Sequence, residues 1–273
     1  MYPVEMTQPP ILFDRSAILR NRARVVDSAL FLHHSAADEI DERLNEVNRT
    51  FKTPAVVSGI PGPWERFGPV VEDADILRLE ENAHDLIIHA MCLHLSNDPI
   101  GQMVQCRRAL KPDGLFICVL LGGATLNELR SCLAESESRI SGGLSPRVIP
   151  MAEIRDLGGL LQRAGFALPV ADGAKTEVHY ESVFHLMHEI RAMGEANALT
   201  ARNKKPTKRA VMDGAAATYA ETFATPMGRI SATFETIFLT GWAPSQDQPQ
   251  PLRPGSAKSR LADALGVPEH DLE

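Results

Sequence analysis

The sequence predicts an α/β fold built around a parallel β-sheet. Three short apolar runs, at 55–59, 86–90 and 115–121, are each bounded by turn residues, which is typical of strands covered on both faces. A helical pattern over 99–110 lies between the last two runs and completes a strand–helix–strand unit. Of the 273 residues, 44% are hydrophobic and 23% are charged, as expected for a folded globular protein.

Charge and hydropathy exclude several functional classes. The chain has 35 acidic and 28 basic residues, a net charge of −7, whereas a non-specific nucleic-acid binder is expected to be basic. The longest apolar run, 115–121, is far shorter than the ~20 residues of a membrane-spanning helix. The first ten residues lack the pattern of a secretory signal. We therefore expect a cytoplasmic protein with no nucleic-acid partner and no membrane span.

The four cysteines do not follow a metal-binding or disulfide pattern. Cys92, Cys106, Cys118 and Cys132 are 14, 12 and 14 positions apart, without a C-x-x-C pair, and three of them lie in apolar surroundings. This pattern predicts reduced core thiols rather than disulfides or metal ligands.

The first elements of the chain are predicted to be helical. Apolar residues recur at three- and four-residue steps over 14–34, and a second helix is predicted from Ser35, as its cap, to Asn48. The arginines between the apolar positions form either a solvated helix face or a site for an anion or an acidic partner; they are Arg15, Arg20, Arg22 and Arg24.

The second half alternates helices with late strands. Gly165 has the position of a glycine C-cap, and the alternating β-branched stretch 230–242 predicts a strand. Helices are predicted at 125–138, 151–164, 183–193 and 208–223, and a strand ends at 178–180. The domain prediction is an N-terminal helical arm over 1–50, an α/β domain over 51–243 and a Pro/Gln-rich tail over 244–273.

Several motifs carry a family resemblance. The segments 84–88, Leu93-His94 and 107–116 (RRALKPDGLF) resemble the second half of a class I S-adenosylmethionine-dependent methyltransferase. More specific stretches are FDR at 13–15, GGATLNELR at 122–130, GGLSPRV at 142–148, DLGGLLQRAGF at 156–166 and MGEANAL at 193–199. Together they resemble the respiratory complex I assembly factor five family, which is regarded as a family of protein arginine hydroxylases.

The resemblance implies a Rossmann-like class I methyltransferase fold with helical insertions, a protein substrate such as a complex I subunit, and S-adenosylmethionine as the cofactor of the superfamily. The superfamily's loop after the first strand has an acidic residue and G-x-G-x-G, whereas this chain keeps only Gly59 and Gly62. From Gly59 to Val71 there are 12 positions, and a single strand–helix–strand crossover needs at least ~10–12 residues. A helix and a strand of the first half are therefore predicted to be lost, which makes cofactor binding doubtful.

Candidate site residues follow from this comparison. The cofactor-binding candidates are Gly59, Gly62, Asp73, Asp75 and His89. The catalytic candidates are His94, Arg130 and Ser145, which follow the ends of predicted strands. For these three, a packed histidine, a helix-face arginine and an N-cap serine are the alternatives. No metal site is assigned, although His185, His188 and Glu189 are residue types that bind non-haem iron.

Three functions remain open at this point. The first is a modifying or assembly factor that acts on or binds a protein substrate, with an arginine of that substrate as the candidate target. The second is an active S-adenosylmethionine-dependent methyltransferase with an unusual loop. The third is a non-catalytic assembly scaffold that uses the old crevice for protein contact.

Overall fold

The computed structural model describes residues 11–248, which form one six-stranded β-sheet with helices on both faces. The predicted Pro/Gln-rich tail beyond Gln248, like residues 1–10, lies outside the described part. In chain order the elements are α1 Arg15–Arg22, α2 Phe31–Val47, β1 Pro54–Val57, β2 Val70–Val71, β3 His84–Ala90, α3 Pro99–Ala109, β4 Leu110–Leu121, α4 Asn127–Ser141, α5 Ile154–Ala164, β5 Ala167–Tyr180, α6 Val183–Ala192, α7 Arg209–Thr222 and β6 Ile230–Trp242.

The sheet has the strand order β2-β1-β3-β4-β6-β5. Strands β1 to β4 are parallel, and β6 runs antiparallel to both β4 and β5. The chain proceeds from β1 outward to β2 and then returns to place β3 on the other side of β1. The strand order therefore reverses between β1 and β3, and ligands of open α/β sheets bind at such a point, beyond the carboxyl ends of the strands.

Alternate strand residues enter two separate apolar cores. Val56, Ile88 and Ile117 pack on one face with residues of α2, α4, α6 and α7. Ile87 and Phe116 pack on the other face with residues of α3 and α5. Because both faces are covered, these strands are apolar at nearly every position, which is the pattern that predicts a parallel sheet. The α/β class is confirmed.

The first half of the sheet is short. Strand β2 pairs directly with β1, through Val56 with Val70 and Val57 with Val71. Between them the described chain has a 3₁₀ helix, Gly62–Phe67, in place of a full crossover with its own strand. Trp64 of this turn is fully buried and donates a hydrogen bond from Nε1 to Nδ1 of His33, at 3.2 Å. The compact turn agrees with the spacing of 12 positions between Gly59 and Val71.

The N-terminal arm lies against the carboxyl edge of the sheet. Phe13 and Ile18 pack in a small separate cluster with Leu95, Ile149 and Leu199. Helix α1 begins after Asp14, whose Oδ1 accepts a hydrogen bond from the backbone N of Ala17 at 3.1 Å. The arm therefore reaches the part of the sheet where a ligand would bind.

Two secondary-structure predictions were wrong, and a third element was predicted only in part. The helix predicted over 14–34 ends at Arg22, because the backbone N of Val26 donates to the carbonyl of Ala192 rather than continuing the helix. Ser35 lies exposed inside α2, which begins at Phe31 and buries one face, so Ser35 is not a cap. The strand predicted to end at 178–180 is β5, which ends at Tyr180; its start at Ala167 was not predicted, because this edge strand is largely exposed.

The remaining elements match within a few residues. Helix α5 ends at Gly165, with φ of +85°, as the glycine C-cap predicts. All four cysteines are buried and unpaired, and burial raises the pKa of each thiol above its ordinary value. No helix between residues 11 and 248 is long and apolar enough to cross a bilayer.

Candidate functional site

Two regions at the carboxyl edge of the sheet are candidates for ligand binding. We call the space above Gly59, at the end of β1, the β1 crevice. We call the cavity beyond the end of β4, between α4, α6 and α7, the β4 pocket. The fold brings both to one edge because parallel strands end on the same side.

The β1 crevice contains an arginine of the chain itself. A methyl group built on Gly59 would lie 2.0 Å from Cζ and 2.1 Å from Nη1 of Arg22. A methyl group on Gly62 would meet nothing within 4 Å. Gly59 therefore makes room for the Arg22 guanidinium, whereas Gly62 opens the 3₁₀ turn without a close neighbour.

Asp73 is the counter-ion of this arginine. Nη1 and Nη2 of Arg22 donate to Oδ1 and Oδ2 of Asp73 at 2.5 and 2.7 Å. Both guanidinium nitrogens Nη1 and Nη2 of Arg15 also donate to Oδ1, at 3.2 and 3.1 Å. The side chains of Asp73 and Arg22 are only 4% and 9% exposed. Burial opposes ionisation of Asp73, but the two guanidinium groups outweigh it and hold its pKa below the ordinary value.

The other two cofactor candidates have different surroundings. Asp75 is exposed, and its backbone carbonyl accepts a hydrogen bond from Nε2 of Gln105 at 2.9 Å. His89 is fully buried, and its Nε2 lies 2.9 Å from Oε1 of Gln102. Burial lowers the pKa of His89 to about 4, so the ring is neutral near pH 7. Nε2 of Gln102 donates in turn to the carbonyl of Ala74, so His89 supports the loop that carries Asp73.

His94 forms a buried pair with a carboxylate from a distant loop. It lies in a 3₁₀ turn just after β3, and its Nε2 is 3.2 Å from Oε2 of Glu195. The two side chains are 3% and 8% exposed. Burial opposes ionisation of Glu195, but the charges of His94, His33 and Arg22 outweigh it and hold the Glu195 pKa below its ordinary value. Nδ1 of His94 and Nε2 of His33 are buried and have no hydrogen-bond partner within residues 11–248.

Glu195 lines the β4 pocket, a cavity of about 410 Å³. Most of the wall is aliphatic or aromatic and includes Leu129, Met187 and Met193. The polar part of the wall comes from Glu195 together with Arg147, Asn197, Arg202, Asn203 and Thr207. An apolar cavity of this size with a few convergent polar groups is typical of a small-ligand site.

Arg130 and Ser145 support the loop beside the pocket and do not line it. Nη2 of Arg130 donates to the carbonyl of Ile149 at 2.9 Å. Oγ of Ser145 donates to Glu137 at 2.8 Å, and Arg147 binds the same carboxylate at 2.6 and 3.0 Å. These bonds, led by that of Arg147, lower the pKa of Glu137 to about 2. Both predicted residues lie in the wall of a neighbouring cavity of about 240 Å³.

The structure does not bring His94, Arg130 and Ser145 together at one point. Among residues 11–248 no group of three or more His, Cys, Asp or Glu side chains is arranged to hold a metal ion. His185 lies on the exposed side of α6, where its Nδ1 is 3.4 Å from Oε2 of Glu181.

Sequence reasoning missed Arg22 and Glu195 as site residues. Arg22 belongs to the set of arginines for which an anion site was one of two alternatives. Glu195 follows Gly194, whose φ of +88° and close approach to Val25 favour glycine. A glycine after a helix, followed at once by an acidic residue, was the available signal.

The N-terminal arm and the segment 192–202 are joined by hydrogen bonds and an ion pair. The carbonyls of Ala196 and Ala198 accept hydrogen bonds from Nδ2 of Asn21, at 2.6 Å, and from the backbone N of Asp14, at 2.8 Å. Asp14 also binds Arg202 of the pocket wall at 2.8 Å. The crevice and the pocket therefore share a wall.

Comparisons with known proteins agree with this architecture. A family model described as a methyltransferase domain matches residues 60–118. The arginine-hydroxylase NDUFAF5 of Danio rerio, a mitochondrial protein, is 37% identical over 194 residues, which cover 71% of this chain and 60% of that protein. The Mus musculus arginine-hydroxylase NDUFAF5 is 36% identical over 231 residues, which cover 82% of this chain and 67% of that protein.

A methyltransferase relative is more distant. The malonyl-[acyl-carrier protein] O-methyltransferase of Xylella fastidiosa is 30% identical over 184 residues, which cover 67% of this chain and 60% of that enzyme. The chain thus spans 60% of the length of both the zebrafish and the Xylella relative. This chain therefore belongs to the family of the NDUFAF5 arginine hydroxylases, within the class I methyltransferase superfamily, as shown by the sequence identities, by its coverage of 67% of the Mus musculus protein and by the Rossmann-like sheet.

Proposed function

We propose that this chain is a methyltransferase-like assembly factor of respiratory complex I that binds a protein substrate and hydroxylates an arginine of it, with O₂ as the source of the oxygen atom and an external two-electron reductant. The family membership supports the activity. The observation that carries the site is the β4 pocket, an open cavity with the buried His94–Glu195 pair at its wall. His94 positions the Glu195 carboxylate, and Arg130 and Ser145 position the loop that forms the wall.

We further propose that the chain works without S-adenosylmethionine. The cofactor would need the space above Gly59 and an acidic residue free to bind its ribose hydroxyls. The Arg22 guanidinium occupies the space above Gly59, and the two oxygens of Asp73 are already bound by Arg22 and Arg15. The exposed Asp75 and the neutral, Gln102-bound His89 do not replace these contacts. The residues present therefore do not fit the cofactor.

The test is a mass measurement on a co-expressed complex I subunit. We expect the intact mass of the substrate to rise by one oxygen atom, and a His94→Gln variant to abolish the gain. His179→Gln, at an exposed histidine of β5, is the matched control and should leave the gain intact. An unmodified substrate that still co-purifies with the chain would replace hydroxylation by a non-catalytic scaffold role.

A second candidate function is an active S-adenosylmethionine-dependent methyltransferase. The family model over 60–118 and the Xylella relative favour it. Titration calorimetry decides between the two: heat of binding at millimolar cofactor, with one methyl group gained by the substrate, supports transfer. Absence of heat at that concentration removes this candidate.

Two further statements belong to the proposal. The cytoplasm is proposed as the compartment, supported by four buried, unpaired cysteines, whereas the names of the NDUFAF5 relatives describe mitochondrial proteins. The division into an arm over 1–50, an α/β domain over 51–243 and a tail over 244–273 is proposed as well. Fluorescence localisation tests the compartment, and limited proteolysis tests the division into arm, domain and tail.

A further inference from the structure

The polar atoms in the wall of the β4 pocket differ in whether they already have partners. Arg147 binds Glu137 through Nε and Nη2 and Oγ1 of Thr207 through Nη1. Arg202 binds the carbonyl of Leu199 and the carboxylate of Asp14. Both guanidinium groups are therefore neutralised inside the chain and offer little to an anionic ligand.

The amide and hydroxyl groups of the wall are also engaged. Nδ2 of Asn197 donates to the carbonyl of Pro146, and its Oδ1 accepts from the backbone N of Leu199. Oδ1 of Asn203 accepts from the backbone N of Lys205. Oγ1 of Thr207 accepts from Arg147 at 2.9 Å.

Glu195 is the acidic residue of this wall. Its Oε2 is held by His94, but within residues 11–248 its Oε1 has no hydrogen-bond partner. Glu195 lines the cavity, and its Oε1 is accessible from it, whereas Nδ1 of His94 is buried. A carboxylate that is nearly buried and half satisfied is a strong acceptor for a charged donor, because the surrounding dielectric is low.

The rest of the wall fits an aliphatic chain. Leu129, Leu133, Met187 and Met193 give a flexible apolar surface that can pack against methylene groups. A ligand with a cationic head and an aliphatic stem would satisfy both the carboxylate and this surface. A neutral head could donate to Oε1 without matching its charge, and an anionic head would leave Oε1 desolvated without a donor.

We infer that the β4 pocket binds a guanidinium group on an aliphatic stem, with Glu195 as the residue that selects its charge. A guanidinium is preferred to an ammonium because its planar fork can bind Oε1 and still stack on apolar wall atoms. The inference rests on the proposed function, since it names the residue by which a substrate arginine would be recognised. It also holds for binding alone, without turnover.

The test compares three short ligands on the full chain by titration calorimetry or NMR. Nα-acetyl-arginine amide should bind at least about tenfold more tightly than the citrulline analogue, which has nearly the same shape without the charge, because in citrulline the donor to Glu195 is neutral instead of ionised. The norleucine analogue should bind no better than citrulline. Equal binding of arginine and citrulline by the wild-type chain would overturn the inference.

Variants assign the effect to Glu195. Glu195→Gln should reduce the preference for arginine over citrulline to about twofold or less, since the isosteric amide has lost the charge. If Glu195→Gln folds poorly, Glu195→Asp serves as the second variant. It keeps the charge on a shorter side chain and should retain part of the preference for arginine. Glu189→Gln is the matched control, because this carboxylate accepts a hydrogen bond from Tyr180 and lies outside the pocket wall.

The outcomes separate the inference from the proposed function. Discrimination of arginine from citrulline without any mass gain on a complex I subunit would leave the pocket assignment standing and remove hydroxylation. A mass gain with a preference that Glu195→Gln leaves unchanged would keep hydroxylation and remove Glu195 as the selecting residue.

Discussion

The β1 crevice and the β4 pocket lie at the same edge of one sheet, but they differ in how their charges are satisfied. In the crevice, each oxygen of Asp73 is bound by an arginine of the arm. In the pocket, Glu195 is bound on one side only. The position that this fold offers for a ligand is therefore filled by the chain itself, and the half-satisfied carboxylate lies in the neighbouring pocket.

The largest expected effect comes from breaking the ion pair of the crevice. Asp73→Asn leaves the nearly buried Arg22 without its counter-charge, so we expect a loss of about 3–5 kcal/mol in the free energy of unfolding. Urea denaturation followed by circular dichroism measures it. Asp38→Asn, at an exposed carboxylate that also pairs with an arginine, is the control and should cost no more than about 1 kcal/mol. Similar losses in both variants would contradict a structural role for the crevice pair.

The second effect is a dependence of stability on pH that originates near the crevice. Burial lowers the pKa of His33 and of His89 to about 4, from the ordinary 6.5. Between these values the unfolded chain takes up protons that the folded chain does not, so stability is full above about pH 6.5 and falls toward about pH 4. The expected loss by about pH 5 is on the order of 2 kcal/mol for each histidine.

Urea denaturation at about pH 7.5 and about pH 5 measures this effect. The variant His89→Gln should show a smaller loss between the two pH values, since one of the two titrating rings is absent. His179→Gln removes an exposed ring and is the control. An unchanged loss in His89→Gln would show that burial of His89 does not set the pH dependence.

A third prediction uses two glycines of the same loop. Gly59→Ala places a methyl group against the Arg22 guanidinium and should cost about 1–3 kcal/mol by overpacking. Gly62→Ala has open space and should change stability by no more than about 0.5 kcal/mol. Thermal unfolding of the two variants side by side checks the difference. Equal stability would mean that Arg22 leaves the crevice without loss.

The smallest effect is expected at the pocket wall. Met187→Ala enlarges a cavity that already exists, so its cost should stay below about 1 kcal/mol. Met103→Ala, at a fully buried position of α3, creates a new cavity and should cost about 2–5 kcal/mol. Denaturation midpoints give both values. A large loss in Met187→Ala would indicate that the pocket wall is packed as tightly as the core.

The strands and helices of the central unit could be predicted because their pattern is dictated by burial on both faces. Strands β3 and β4 each contain an uninterrupted apolar run, at 86–88 and 115–121, and Gly165 marks the end of α5. The break after Arg22 could not be predicted, since it depends on a hydrogen bond to Ala192, far away in the chain. Only the end of β5 was predicted, because an edge strand has few buried positions.

The candidate site was less accessible to sequence reasoning. Asp73 could be selected from its acidic segment, but its partner Arg22 is 51 positions away, and an arginine on an amphipathic helix is usually solvated. His94 could be selected because it follows a strand, whereas Glu195 lies 101 positions from it. Both partners are brought in by the arm and by the turn at Gly194, which are tertiary features that no local pattern contains.

The hydrogen bonds between the arm and the segment 192–202 have a mechanical consequence. If α1 moved outward to admit a nucleoside above Gly59, Asn21 and Asp14 would release Ala196, Ala198 and Arg202. That movement would displace the segment 192–202, which contains Glu195. Such a movement would open the β1 crevice and disrupt the wall of the β4 pocket at the same time.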